Sequence, residues 1–122
     1  MILRSLLLTL QNIITAAEDR SRLGQLSHED RRLLAFVAGR FVRGQQTCLG
    51  DVIATDEHGS QKTITKRLRD LEADGWLRVE RDPTNYRKRR IRLTTAANEG
   101  LEEASRMLER QIPLLIKELG IK

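Results

Sequence analysis

The chain has 122 residues, of which 39% are hydrophobic, 32% charged and only 3% aromatic, with a formal net charge of +5. That is enough apolar material for one core and little more, so residues 1-122 are expected to form a single domain, and a Leu- and Ile-weighted core suits a mainly helical protein. The lone Cys48 excludes an internal disulfide framework and fits a reducing, cytoplasmic setting; no Cys/His cluster has zinc spacing, and neither a metal nor a cofactor is implied.

The first predicted helix runs from Ile2 to Arg20. Gln11 and Asn12 interrupt the apolar run, and Leu3, Leu6, Leu7, Leu10, Ile13, Ile14 and Ala17 recur at three- and four-residue steps, giving one apolar stripe rather than an all-round hydrophobic rod. The run is shorter than the roughly 20 apolar residues a bilayer span requires, so it reads as a packing helix with no membrane partner. An uncleaved signal or anchor is the alternative. A polar link through Ser21 and Gly24 leads to Ser27, an N-cap hydroxyl followed by Glu29 and Asp30 in the first turn of a second helix. Leu33, Leu34, Phe36, Val37, Phe41 and Val42 supply its buried side, and Gly44 ends it.

Gln45 to Thr47 reads as a short strand and Cys48 to Thr55 as two turns of helix, before the breaker-rich stretch from Asp56 to Ser60. A third strong helix starts at Ser60, carries Ile64, Leu68 and Leu71 on one side, and stops at Gly75. Two helices around a tight glycine-containing turn are the pattern of a helix-turn-helix. After Gly75 the period drops to two. Leu77 and Val79 alternate with Arg78 and Glu80, and Ile91 and Leu93 with Arg90 and Arg92, around turn formers Pro83 and Asn85. From Thr95 a long helix resumes with Leu101, Ala104, Leu108, Ile112, Leu115 and Leu119 on one stripe, and Pro113 is expected to kink or break it. The fold class is therefore mainly α with a small β-hairpin, α+β.

The positive charge is localised. Residues 60–92 hold 11 of the 22 basic and 5 of the 17 acidic residues, a net +6 against +5 for the whole chain, so the remainder is close to neutral. With Ile64, Leu68 and Leu71 turned inward, the opposite helix face presents Gln61, Lys62, Thr65, Lys66 and Arg69, with Ser60 and Thr63 near the N-terminus. Gln and Lys can hydrogen-bond base edges, whereas Ser, Thr, Lys and Arg suit phosphate oxygens. The hairpin adds Arg87, Lys88, Arg89, Arg90 and Arg92. Like charges crowded on one ribbon cost folding stability, and a phosphate backbone is the partner that would select them. An Arg at the tip, Arg87, is suited to a narrowed minor groove.

The stretch from Lys62 through Asp74-Gly75-Trp76-Leu77, Arg81-Asp82-Pro83 and Asn85-Tyr86-Arg87 to Ile91-Arg92-Leu93-Thr94 resembles the MarR family of dimeric winged-helix transcription regulators. The resemblance covers residues 27 to about 100 in order and spacing. It implies a winged helix-turn-helix over 27-94, with N- and C-terminal dimerisation helices over 1-20 and 95-122, a recognition helix in the major groove and a basic wing on the minor groove. One position departs: the family usually has an Asp that helps to hold the wing Arg, and this chain has Asn85 two residues before Arg87.

Two continuous apolar stripes are more than a core of this size can bury within one subunit, so a homodimer in which the terminal helices interleave is expected. Its interface would use Leu3, Leu6, Leu7, Leu10, Ile13, Ile14, Leu108, Ile112, Leu115 and Leu119, and its DNA would be a pseudo-palindromic double-stranded site. Family members often bind small phenolic or lipophilic compounds, but no residue here singles out a small-molecule effector. Cys48 reads as a small buried hydrophobe before a redox switch, and His28 and His58 are isolated, His28 in a helix first turn and His58 in a loop rather than at a metal site. No acid, base and nucleophile are paired, so no enzyme is expected. The competing class is a winged-helix protein-interaction module without specific DNA binding.

Overall fold

The structure, a computed structural model, describes residues 2–118 and 120. Five α-helices and three strands follow in chain order: α1 (Ile2–Arg20), α2 (His28–Val42), β1 (Thr47–Cys48), α3 (Leu49–Ala54), α4 (Gln61–Ala73), β2 (Leu77–Arg81), β3 (Arg89–Leu93) and α5 (Thr95–Glu118). A 3-10 turn, Arg22–Gln25, follows α1. The chain divides into two compact units, Leu26–Asn98 and the pair of segments Met1–Gln25 and Glu99–Lys122.

The helix starts are set by local chemistry. Ser27 Oγ accepts the Asp30 amide at 3.2 Å and Ser60 Oγ accepts the Thr63 amide at 3.2 Å, each satisfying one of the orphan donors of a first turn. At α3 the acid works in the other direction: Asp51 Oδ2 accepts the Cys48 amide at 2.8 Å. The end of α4 needs glycine. Gly75 has φ +83°, its amide donates to the Glu72 carbonyl at 3.1 Å, and the Trp76 amide donates to the Leu71 carbonyl at 2.9 Å. These are the paired bonds of a Schellman stop, with buried Trp76 and Leu71 as its apolar closure.

In Leu26–Asn98 the core gathers Leu33, Leu34 and Val37 of α2, Val52 of α3, Ile64, Leu68 and Leu71 of α4, and Trp76, Leu77 and Ile91 around the sheet. The sheet is antiparallel with order β1-β3-β2, pairing Thr47 with Ile91, Leu77 with Leu93, Val79 with Ile91 and Arg81 with Arg89. Leu77, Val79, Ile91 and Leu93 thus share one face, as the two-residue alternation requires. Thr94 joins the end of α4 to the start of α5: its hydroxyl donates to the Gly75 carbonyl at 2.6 Å and accepts the Ala97 amide at 3.2 Å.

Four sequence expectations change. Cys48, expected as a small buried hydrophobe, is half-buried. Phe41 and Val42 are 78% and 84% exposed, because the core against α2 stops at Val37 and its last turn projects past it; Arg40, one position earlier, turns instead to Thr47 Oγ1 (3.1 Å) and Asp51 Oδ2 (3.3 Å). The short strand is Thr47–Cys48 rather than 45–47, since only Thr47 and Cys48 find partners on β3. α5 runs through Pro113 without breaking, so the missing N–H is accommodated inside a continuous helix.

In the unit built from Met1–Gln25 and Glu99–Lys122, Ala17, Leu23, Ala104 and Leu115 are buried and Arg22 pairs with Glu99 at 2.8 Å. With both partners half exposed, that ion pair adds little stability.

Candidate functional site

α4 turns its Ile64, Leu68 and Leu71 edge to the core, which leaves Gln61, Lys62, Lys66 and Arg69 exposed on the other side and Thr65 half-buried between them. Its N-terminus is closed by its own side chains: the Ser60 hydroxyl donates to Thr63 Oγ1 at 3.0 Å while capping the Thr63 amide. Thr65 donates its hydroxyl to the Gln61 carbonyl at 2.8 Å and keeps acceptor capacity. Among the described residues, Lys62, Lys66 and Arg69 form no ion pair, whereas Arg67 on the flank of the same helix reaches Asp30 of α2 at 3.2 Å. That partly buried bridge, which no pattern in the sequence singles out, fixes α4 against the first turn of α2.

The hairpin is fixed to α4 by a second contact that the sequence does not signal. β2 is an edge strand, and its outward Val79 amide donates to Glu72 Oε2 of α4 at 2.7 Å. Helix and wing thereby flank one hollow of about 240 Å³, lined by Thr65 and Arg69 of α4, Arg81 and Arg89 of the ribbon, and Leu49 of α3. Arg81 and Arg89 lie directly opposite each other, as do Arg78 and Arg92, the like-charge pairing that an isolated ribbon would avoid. Glu80 relieves one pair by reaching Arg92 at 3.6 Å.

The wing tip is tightly specified. The Asp82 amide donates to the Lys88 carbonyl (2.9 Å) and the Lys88 amide to the Asn85 carbonyl (3.0 Å). Asp82 Oδ1 accepts both the amide and the hydroxyl of Thr84, at 2.8 and 2.7 Å, and these bonds hold its carboxyl below the usual carboxylate range. Asn85 Oδ1 accepts the Arg87 amide at 3.1 Å. The departure at this position is therefore met locally: Asn85 fixes the Arg87 backbone through an Asx turn. Arg87, Lys88 and Arg89 are exposed and make no ion pair among the described residues, while Arg90 is half-buried and donates to Gln46 Oε1 at 3.1 Å.

No family model matches the sequence, and no curated protein matches it. Solved structures do. The transcriptional regulator Tm0710 from Thermotoga maritima superimposes with a TM-score of 0.73 at 19% identity, covering 95% of this chain and 78% of that one. The MepR–DNA complex of S. aureus gives 0.71 at 16% identity over 95% and 82%. RV1404 from Mycobacterium tuberculosis gives 0.76 at 12% identity over 96% and 78%. The chain has the winged-helix fold of MarR-type regulators. In that fold α4 directly precedes the β2–β3 hairpin, the wing, whose tip is residues 82–88.

His58 sits in the turn that leads into α4 of this winged helix, half-buried with its ring edge-on to Phe36 at a centroid distance of 5.3 Å. Burial lowers its pKa, the Arg32 cation lowers it further, and Glu57 opposes both. The unfolded chain then takes up this proton first. The stability that depends on neutral His58 is present above the ordinary value of about 6.5 and lost as pH falls through the folded value. Urea midpoints measured across that window should decline toward acid in the native chain and less steeply in His58→Leu; parallel profiles would refute the assignment.

Proposed function

We propose that the chain is a sequence-specific, double-stranded DNA-binding transcriptional regulator that acts as a homodimer, with α4 in the major groove and the wing on the minor groove. The observation that carries this reading is the set of cations with no ion pair among the described residues, Lys62, Lys66 and Arg69 on α4 and Arg87, Lys88 and Arg89 on the wing, on two elements tied together by Glu72. A located basic surface on a helix and a ribbon is the footprint expected of a partner with regularly spaced phosphates. The fold likeness to regulators, one of them in complex with DNA, supports the same reading and gives no support to an enzyme.

The dimer is supported by where apolar surface remains. Of the ten large hydrophobic side chains left exposed among the described residues, seven lie on α1 and α5. Leu7, Leu10, Ile14 and Ile112 of the expected interface are among them, with Leu8, Leu114 and Ile116 in addition. Leu6, Ile13 and Leu108 are half-buried and Leu115 is buried within its own chain; the Leu3 side chain and Leu119 lie outside the described residues. Exposed apolar side chains concentrated on two helices in this way support an association surface. Ile112→Asp, at a position 51% exposed, should give a monomer by sedimentation while helix content is kept, and an unchanged dimer would remove Ile112 from the interface.

The function is tested by selecting duplexes from a randomised pool and measuring their affinity. Enrichment of a pseudo-palindromic site, with half-sites about one helical turn apart, is the expected result. Failure to enrich any duplex at low salt would overturn the reading.

A further inference from the structure

Tyr86 stands between Asn85 and Arg87 at the tip of the wing and is 78% exposed. The surrounding turn is held by the bonds between Asp82 and Lys88, Asn85 and Lys88, and Asn85 and Arg87, so the position of its Cα is fixed before any partner arrives. On one side the Arg81 guanidinium lies 5.9 Å from the ring centroid, and Arg81 itself pairs across the ribbon with Arg89. An aromatic ring is thus presented to solvent inside the most basic segment of the chain, propped by a cation and followed directly by the exposed Arg87.

We propose that Tyr86 is a DNA-contacting residue of the wing, which lays its ring against the sugar edges of the minor groove beside Arg87. The inference rests on the DNA-binding reading above and deepens it. A tyrosine suits that place because its ring is a rigid apolar body with few rotamers to lose, while its hydroxyl can meet the acceptors on the groove floor. It differs from its neighbours in one measurable respect. Arginine and lysine contacts release counterions and set the salt dependence of binding, whereas an uncharged ring does not. Tyr86 should therefore contribute affinity without contributing salt slope.

The test compares the intact chain with Tyr86→Ala, Tyr86→Phe and Arg87→Ala on the duplex selected by the native protein, at several salt concentrations. Tyr86→Ala should lose about tenfold in affinity with an unchanged salt slope, as expected when one aromatic side chain taken out of water is removed. Tyr86→Phe should retain most of the affinity, and Arg87→Ala should lose affinity with a shallower slope. Because Tyr86 is the chain's single tyrosine, a fluorotyrosine label gives one resonance at this position, which should shift on titration with the duplex. Native affinity in Tyr86→Ala, or a label unmoved by DNA, overturns the proposal while the regulator reading stands if Arg87→Ala is impaired. A native chain that binds no duplex overturns both.

Discussion

Raising salt from about 50 to about 200 mM is expected to weaken binding of the selected duplex by about a thousandfold. Each chain offers Lys62, Lys66, Arg69, Arg87, Lys88 and Arg89 as cations with no ion pair among the described residues. If half of those on two copies reach phosphates, about six counterions are displaced and the logarithmic slope is about −5. The competing partner class gives a different number: a protein surface of modest acidity, screened beyond a Debye length of about 10 Å at 0.1 M, would show a much shallower dependence. A slope near zero would therefore sink the phosphate reading of both helix and wing. Lys66→Ala and Arg87→Ala divide the effect between the two elements, since each should make the slope shallower by about one for every phosphate its side chain no longer neutralises. Arg90→Ala is the internal contrast, because its guanidinium is half-buried against Gln46, and its slope should stay close to native.

Much of this architecture is local and therefore legible in the sequence. The stripe from Leu6 to Ala17, the Ser27 and Ser60 caps, and the change of period after Gly75 are each written in residues within one or two turns of each other, and the helices and strands start and stop accordingly. What the sequence does not disclose are contacts whose partners lie far apart in the chain. Arg67 and Asp30 are separated by 37 positions, and nothing in the pattern around either says that they meet. The Glu72 bond to the Val79 amide depends on β2 being the edge strand, which follows from the order β1-β3-β2 and not from alternation. Phe41 misleads for the same reason: it continues the α2 stripe perfectly well, but periodicity cannot tell where the neighbouring elements end. At the wing the hidden information is of another kind. Asn85 reads as a missing carboxylate, yet its amide oxygen still supplies a local acceptor to the backbone.

The two faces of α4 should separate cleanly when each is cut. Ile64 is fully buried, at 0% exposure, and it carries none of the outward chemistry. Ile64→Ala removes most of its side chain and leaves a cavity, which should cost about 2–5 kcal/mol. Against a domain stability of about 5–15 kcal/mol that is a large fraction, so the urea midpoint should fall sharply with little change in its slope. Ile64→Val, which trims a single methylene, should cost only about 0.5–1.5 kcal/mol. Lys66→Ala, on the exposed side of the same helix, should stay within about 0.5 kcal/mol of native stability and yet lose duplex affinity. In the cold, where Ile64→Ala remains folded, its affinity for the duplex should stay close to native, because the outward side chains keep the mounting supplied by Leu68, Leu71 and the Arg67–Asp30 bridge. A destabilisation below about 1 kcal/mol for Ile64→Ala would mean that α4 is not seated through this residue. Equal damage to stability from Lys66→Ala would mean that the exposed face is structural, which would remove the main ground for assigning it to DNA.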